Sequence, residues 1–192
     1  MTARPHAPAG SNTVNPFVIA DGTAELIDFL IDVFGATDVP EARTIDEDGL
    51  ILHAELRLGD SLLSLADRKP DWPFTPALTR VYVDDVEETL ARAEARGARI
   101  VTRPTDFFGD TLARFQDRSG NLWWVYQHDP TAGQDWAAEA EDADDWTSFS
   151  TPELEYIHGT LVEAMRSLHD PRTQRHASPA DQEGADQSRL RI

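Results

Sequence analysis

Cysteine is absent from the 192 residues and lysine nearly so: of 17 basic residues, 16 are arginine and only Lys69 is lysine. Without thiols there is no disulfide, zinc knuckle, iron–sulfur cluster or thiol nucleophile, and cysteine usage says nothing about the redox compartment. Positive charge is scarce as a whole, 17 basic against 35 acidic residues for a formal net charge of -18. That balance argues against a nucleic-acid backbone or an anionic membrane as the main partner. Long apolar runs are missing too, and nothing approaches the ~20 residues of a membrane span. The start MTARPHAPAGSNT carries no apolar h-region, so no secretory signal is expected and the cytoplasm is the default location. The arginine bias fits GC-rich codon usage better than adaptation to salt, because half of the acid excess is concentrated in one segment.

What is present is ordered punctuation. Residues 1–13 hold Pro5 and Pro8 among small polar residues and read as a disordered lead-in. From 14 to 128, short apolar runs alternate with amphipathic stretches. A strand is expected at 14–20, and then a helix at 23–34, with Leu26, Ile27, Leu30, Ile31 and Phe34 at helical spacing and Gly35 as the stop. Strands are expected at 41–45, 50–58 and 61–65, split by the turns Asp46-Glu47-Asp48-Gly49 and Gly59-Asp60. A proline-rich linker, Lys69 to Pro76, leads to a second round: strand 78–83, helix 86–96 closed by Gly97, and strands 99–102, 112–116 and 122–127. Val18-Ile19-Ala20-Asp21 answers Val81-Tyr82-Val83-Asp84, and Phe34-Gly35-Ala36 answers Arg96-Gly97-Ala98. The chain therefore reads as an internal duplication of a βαβββ unit, modules 14–67 and 77–128.

Past His128 the composition shifts. Residues 129–192 hold 14 acids and 5 arginines, a net charge of -9, with six acids and no base from Asp135 to Asp145. This reads as a solvated acidic extension, with a basic docking partner as the alternative. Within it, Thr151-Pro152-Glu153 opens a helix at 152–168, whose Leu154, Ile157, Leu161, Ala164, Met165 and Leu168 form one stripe. Such a stripe needs a partner, either its own domain or a second chain. The end, from Pro171 on, reads as disordered.

The 14–128 segment resembles the PhnB-like branch of the vicinal oxygen chelate superfamily, which holds glyoxalase, bleomycin-resistance proteins and dioxygenases. Four stretches carry the resemblance: Asn15-Pro16-Phe17-Val18-Ile19, Phe29 to Gly35-Ala36, Leu52-His53-Ala54-Glu55-Leu56, and Phe108-Gly109-Asp110 with Asp117-Arg118-Ser119-Gly120-Asn121-Leu122-Trp123-Trp124. Phe108 stands where the branch has tryptophan and Arg118 where it has a turn proline. The resemblance implies an α+β fold, two βαβββ modules forming a curved mixed sheet around a cavity, here followed by the acidic helical extension. It also implies that metal-dependent relatives draw two ligands per module. The equivalent positions are Asn15 and Leu78 on the first strands and Leu63 and Trp124 on the last, and a slip of one residue reaches Pro16, Thr79, Leu62, Ser64, Trp123 and Val125. None is His, Asp or Glu, so no metal or other cofactor is expected.

A cavity remains. Strand alternation groups Phe17 and Ile19 with Asn15, Arg80 and Tyr82 with Leu78, and Tyr126 and His128 with Trp124. Phe17, Ile19, Arg80, Tyr82, Trp124 and Tyr126 are thus the candidate ligand-binding residues, unless the same rings merely fill a collapsed core. His53 and Glu55 are the weak candidates for a proton-transfer pair, the alternative being a polar face on an edge strand; His128 is a strand end or a ligand remnant. The favoured function is a metal-free protein that sequesters or senses a small aromatic or amphipathic compound, with the acid excess fitting a cationic one. The alternatives are a metal-dependent lyase, isomerase or dioxygenase, and a dimeric interaction module with a vestigial pocket. Relatives close their cavities within one chain or by exchanging modules in a homodimer, and the linker is compatible with either.

Overall fold

The computed structural model describes residues 7–8, 10–131 and 151–175. The first module runs β1 (Phe17–Ala20), α1 (Thr23–Phe34), β2 (Thr37–Asp38), a 3-10 turn (Pro40–Ala42), β3 (Thr44–Ile45), β4 (Ile51–Leu58) and β5 (Ser61–Asp67). The second runs β6 (Leu78–Tyr82), α2 (Val86–Ala95), β7 (Arg99–Phe107), β8 (Asp110–Gln116) and β9 (Leu122–His128), and the tail adds α3 (Pro152–Arg166) and α4 (Pro171–Arg175). The class is α+β, as expected, with the tail helix in place.

Local chemistry explains the helices. In α1, Leu26, Ile27, Leu30 and Val33 are buried on one stripe, and Gly35, at φ 67°, turns its N–H back onto the Ile31 carbonyl, a conformation a side chain would strain. In α2 the Asp85 carboxylate accepts the Glu88 N–H, and Val86, Leu90 and Ala93 face inward. Two sheets result, ordered β1-β5-β4-β2 with β3 beside β4, and β6-β9-β8-β7. In each, the first strand lies parallel to the last, β1 to β5 and β6 to β9, and the remaining pairs are antiparallel.

Helices α1 and α2 lie between the sheets. One core contains Val18, Leu56 and Leu65 from the first sheet and Ala113, Phe115, Trp123 and Val125 from the second, together with Leu30, Val33 and Leu90 from α1 and α2. Phe34 on α1 reaches Trp123 on β9, ring centroids 5.4 Å apart, and Arg92 on α2 donates to the Val33 carbonyl of α1. Since both sheets spend one face on this shared core, their other faces point outward, away from each other. Among the described residues, β1 and β6 each have a single strand neighbour, so both are free edges.

Several elements depart from the sequence expectation. The stretch read as a strand at 41–45 begins as the Pro40–Ala42 turn, and the two-residue β2 pairs with Leu56 and Arg57 of β4. Strand β7 extends to Phe107 through Pro104; as an edge strand it tolerates the missing N–H, and its pairing shifts register between Thr102 and Thr105. The Phe108–Gly109 connection takes positive φ at both residues, 54° and 84°, the backbone of a tight hairpin turn. The lead-in is partly organised: Arg57 donates to the Gly10 carbonyl, and the Asn15 side chain accepts the Asn12 N–H and donates to the Asn12 carbonyl. Pro171–Arg175 is helical where disorder was expected. The acidic run 135–145 lies outside the described residues. No described helix is long and apolar enough to cross a membrane.

Candidate functional site

The outward faces are where function can reside, because every other strand face is occupied by core. On the first sheet, pairing places Phe17 beside Ser64 and Ser64 beside Glu55, so Phe17, Ile19, Ser64, His53, Glu55 and Arg57 share the outward face. Strand β4 is an inner strand, which removes the edge-strand explanation for its alternating polar residues. The Phe17 and His53 rings lie 6.4 Å apart, and His53 Nε2 is 3.5 Å from Glu55 Oε1, with both side chains about one-third exposed. That distance is the outer limit of a hydrogen bond.

The second sheet repeats the geometry with different chemistry. Arg80 pairs with Trp124 and Trp124 with Arg114, while Tyr82 pairs with Tyr126 and Tyr126 with Leu112. The Arg80 guanidinium sits 4.6 Å from the Tyr126 ring centroid, and the Tyr82 and Tyr126 rings are 5.5 Å apart. Burial raises the pKa of the Tyr126 hydroxyl, opposed by the two arginines. At the far end His128 Nδ1 is 2.7 Å from Asp110 Oδ1 across the strands, both on the outward face.

The six candidate binding residues therefore fall into two groups. Phe17 and Ile19 lie on one outward face, and Arg80, Tyr82, Trp124 and Tyr126 on the other. A single chain does not gather them around one cavity. The free edges carry the exposed rings: Phe17 is 55% exposed, Tyr82 57% and the neighbouring Leu78 53%. A hollow of about 890 Å³ lies elsewhere, where the modules meet, and is lined by Asp21, Arg68, Asp117, Arg118 and Arg172 among others. It is where the tail anchors.

That anchor was not legible in the sequence. Buried Arg68 is paired at 2.8 Å with Asp170 and at 3.0 Å with Asp21, and Arg172 contacts Asp21 and the carbonyls of Arg68 and Lys69. Between this clasp and β9, α3 lies on the second sheet's outward face. Ile157 packs with Leu112 and Tyr126, Thr160 bonds Thr102, and the Tyr156 hydroxyl accepts the Arg103 N–H. Of the predicted stripe, Ile157 and Ala164 are buried, whereas Met165 stays 43% exposed.

The positions equivalent to metal ligands do not converge. Asn15 is held in its turn with Asn12, Leu63 packs into the helix-side core, Leu78 sits exposed on the free edge, and Trp124 faces outward. Among the described residues no three of His, Cys, Asp and Glu come together. A divalent ion needs such a set, so the residues of one chain do not fit it.

The motif that carried the resemblance serves the frame. The buried Asp117 carboxylate accepts from the Ser119 and Asn121 N–H groups, the Asn121 side chain and the Trp123 indole, and so pins the turn to the core. Burial pushes its pKa up against these bonds.

A duplicated module with a parallel first and last strand defines a two-module α+β protein, and the chain matches the family model described as glyoxalase/bleomycin resistance protein/dioxygenase superfamily over residues 13–125. The chain belongs to that superfamily. It is similar to protein PA1353 from Pseudomonas aeruginosa at 24% identity and a TM-score of 0.51, covering 62% of this chain and 98% of that one. TioX from Micromonospora sp. ML1 aligns at 23% identity and a TM-score of 0.48, over 64% of this chain and 100% of that one. A PhnB protein from Bacillus cereus aligns at 19% and 0.49, over 60% and 99%. The likeness to PA1353 speaks to the fold alone. No curated protein matches the chain.

Proposed function

We propose that the protein binds a small aromatic or amphipathic organic molecule, without a metal, on the ring-lined outward faces of its sheets. The observation that carries this reading is the cluster of Tyr82 and Arg80 on the free edge strand β6 with Tyr126 on the neighbouring β9, where rings supply apolar area and the guanidinium supplies orientation. An exposed tyrosine and leucine on an unpaired edge are costly to leave bare. The pocket is completed in a homodimer, in which the β1 edge of one copy, bearing Phe17 and Ile19, meets the β6 edge of its partner. His53 and Glu55, beside Phe17, then flank the bound molecule and are the pair available for proton transfer.

The test is a thermal-shift screen of planar compounds, neutral and charged, read alongside light scattering. Ligand at about 100 times its Kd adds about 2.7 kcal/mol, a rise of roughly 5–10 °C for a domain of this size. Tyr82→Ala should abolish the rise while leaving the unliganded melting temperature within about 2 °C. Absence of any stabilising compound, or equal stabilisation of the Tyr82→Ala variant, refutes the reading. A monomer at micromolar concentration refutes the completed pocket.

A further inference from the structure

Arg114 is a cation in an unusual place. It sits mid-strand on the outward face of the second sheet yet is only 4% exposed. Its guanidinium lies 5.2 Å from the Trp124 ring centroid, and its Nη1 donates to Thr102 Oγ1 and, at 2.8 Å, to the Ile157 carbonyl of α3. Among the described residues its Nε has no partner, and none of its bonds is to a carboxylate. A buried guanidinium with five donors ordinarily finds an anion, since desolvating it against neutral acceptors alone is expensive. Burial accordingly lowers the Arg114 pKa, opposed by the Tyr126 hydroxyl and by no carboxylate.

The cover over it is helix α3, which buries Ile157 and Ala164 and whose polar ties to the strand below include Thr160 to Thr102 and Tyr156 to the Arg103 backbone. Beneath and beside it stand Trp124, Tyr126 and Tyr82, with Arg80 on the neighbouring edge strand. Two arginines converge on one aromatic patch, which is the donor set that reads a carboxylate attached to a planar ring. Local donors outweigh the acidic charge of the whole chain, which acts at long range and is screened.

We propose that this patch is a binding site for a planar aromatic carboxylate, with Arg114 at its floor and Arg80 at its rim, and that α3 is a displaceable cover whose Ile157 carbonyl occupies the place of the ligand's anionic oxygen. The inference rests on the binding reading above and narrows its ligand to an anion. Ligand binding and cover closure compete for the same guanidinium, so anything that loosens α3 tightens binding.

The experiment titrates the full-length protein with 2-naphthoate and with its neutral counterpart 2-naphthamide by calorimetry, and follows amide exchange of 152–166 at saturation. Naphthoate should bind at least tenfold more tightly than naphthamide and should speed exchange across α3. Arg114→Gln and Arg80→Gln should each erase most of that preference, and Thr160→Ala should tighten naphthoate about fivefold. Equal affinity for the two compounds, or a preference unchanged in both arginine variants, overturns the anion site. Unchanged exchange in α3 at saturating naphthoate overturns the cover. Arg80 is exposed and its replacement does not threaten folding, so a preference intact in Arg80→Gln overturns the two-arginine site even if Arg114→Gln fails to fold. Binding of naphthamide without naphthoate sinks this inference and leaves the binding reading standing, whereas binding of neither sinks both.

Discussion

The two sheets are built on one plan and present opposite situations to solvent. Among the described residues no helix crosses the first sheet's outward face, and Phe17, His53, Glu55 and Ser64 are at least partly exposed there. The second has its outward face crossed by the chain's own α3, and its buried Arg114 bonds a backbone carbonyl and a hydroxyl instead of an acid, with Nε left unpaired among the described residues. Duplication fixes which residues face outward; it does not fix what covers them. The difference comes from the tail, which lies outside the matched residues 13–125 and is added to the frame as a separate layer.

The sharpest way to break the comparison is to remove the frame beneath each face. Asp117 accepts four N–H donors and Asp67 two, from Thr23 and Ile51. Each orphaned buried donor costs about 1–3 kcal/mol. Asp117→Ala should therefore destabilise by about 4 kcal/mol or more in urea unfolding, and Asp67→Ala by about 2 kcal/mol. Equal losses would mean that the second module does not depend on its turn more than the first. The next effect lies on the cover. Ile157→Ala removes the helix's main apolar contact with Leu112 and Tyr126, and should cost about 1–2 kcal/mol at this rim site, less than a fully enclosed core position. The loss should register as faster amide exchange confined to 152–166. Phe17→Ala on the open face, with 55% of the residue already in solvent, should change stability by no more than about 0.5 kcal/mol.

Much of the frame was legible because its causes are local. The α1 stripe, Gly35, the Ser119-Gly120-Asn121 turn and the repeat of Phe34-Gly35-Ala36 in Arg96-Gly97-Ala98 are short-range patterns with one conformational reading. The alternation that groups Phe17 with Ile19 and Arg80 with Tyr82 matches the observed faces, since it needs only a period of two. Legibility stops where partners are far apart in sequence. For His53 and Glu55 the sequence pattern fits an edge-strand face as well as a proton-transfer pair, and only strand order dismisses the former. The turn count puts Leu63 among the ligand positions, yet one residue of register puts it in the helix-side core and Ser64 outward. Arg114 does carry a local signal: in Leu112-Ala113-Arg114-Phe115-Gln116 it occupies the outward phase opposite Phe115. The clasp of Arg68 with Asp170 spans more than a hundred residues and has no sequence pattern at all.

That clasp gives the smallest and most specific prediction. Asp170 has its pKa lowered, first by the hydrogen bond from Arg68 and further by the Arg172 backbone N–H. A carboxyl lowered on docking contributes stability that is present above its undocked pKa, near 3.8, and is lost as pH falls through the docked value. Asp117 runs the other way: its raised pKa makes the ionised form costly, and that cost is relieved on acidification. Between pH 5 and pH 3 the tail should accordingly loosen while the turn beneath Trp123 does not. Protection factors for 152–175 should fall over that interval with those of β8 and β9 unchanged. Asp170→Asn should reproduce the loosened tail at pH 7 and remove the dependence. Loss of protection in β9 and α3 together would instead mean that the tail and the second sheet open as one unit, and that α3 is part of the module rather than a layer upon it.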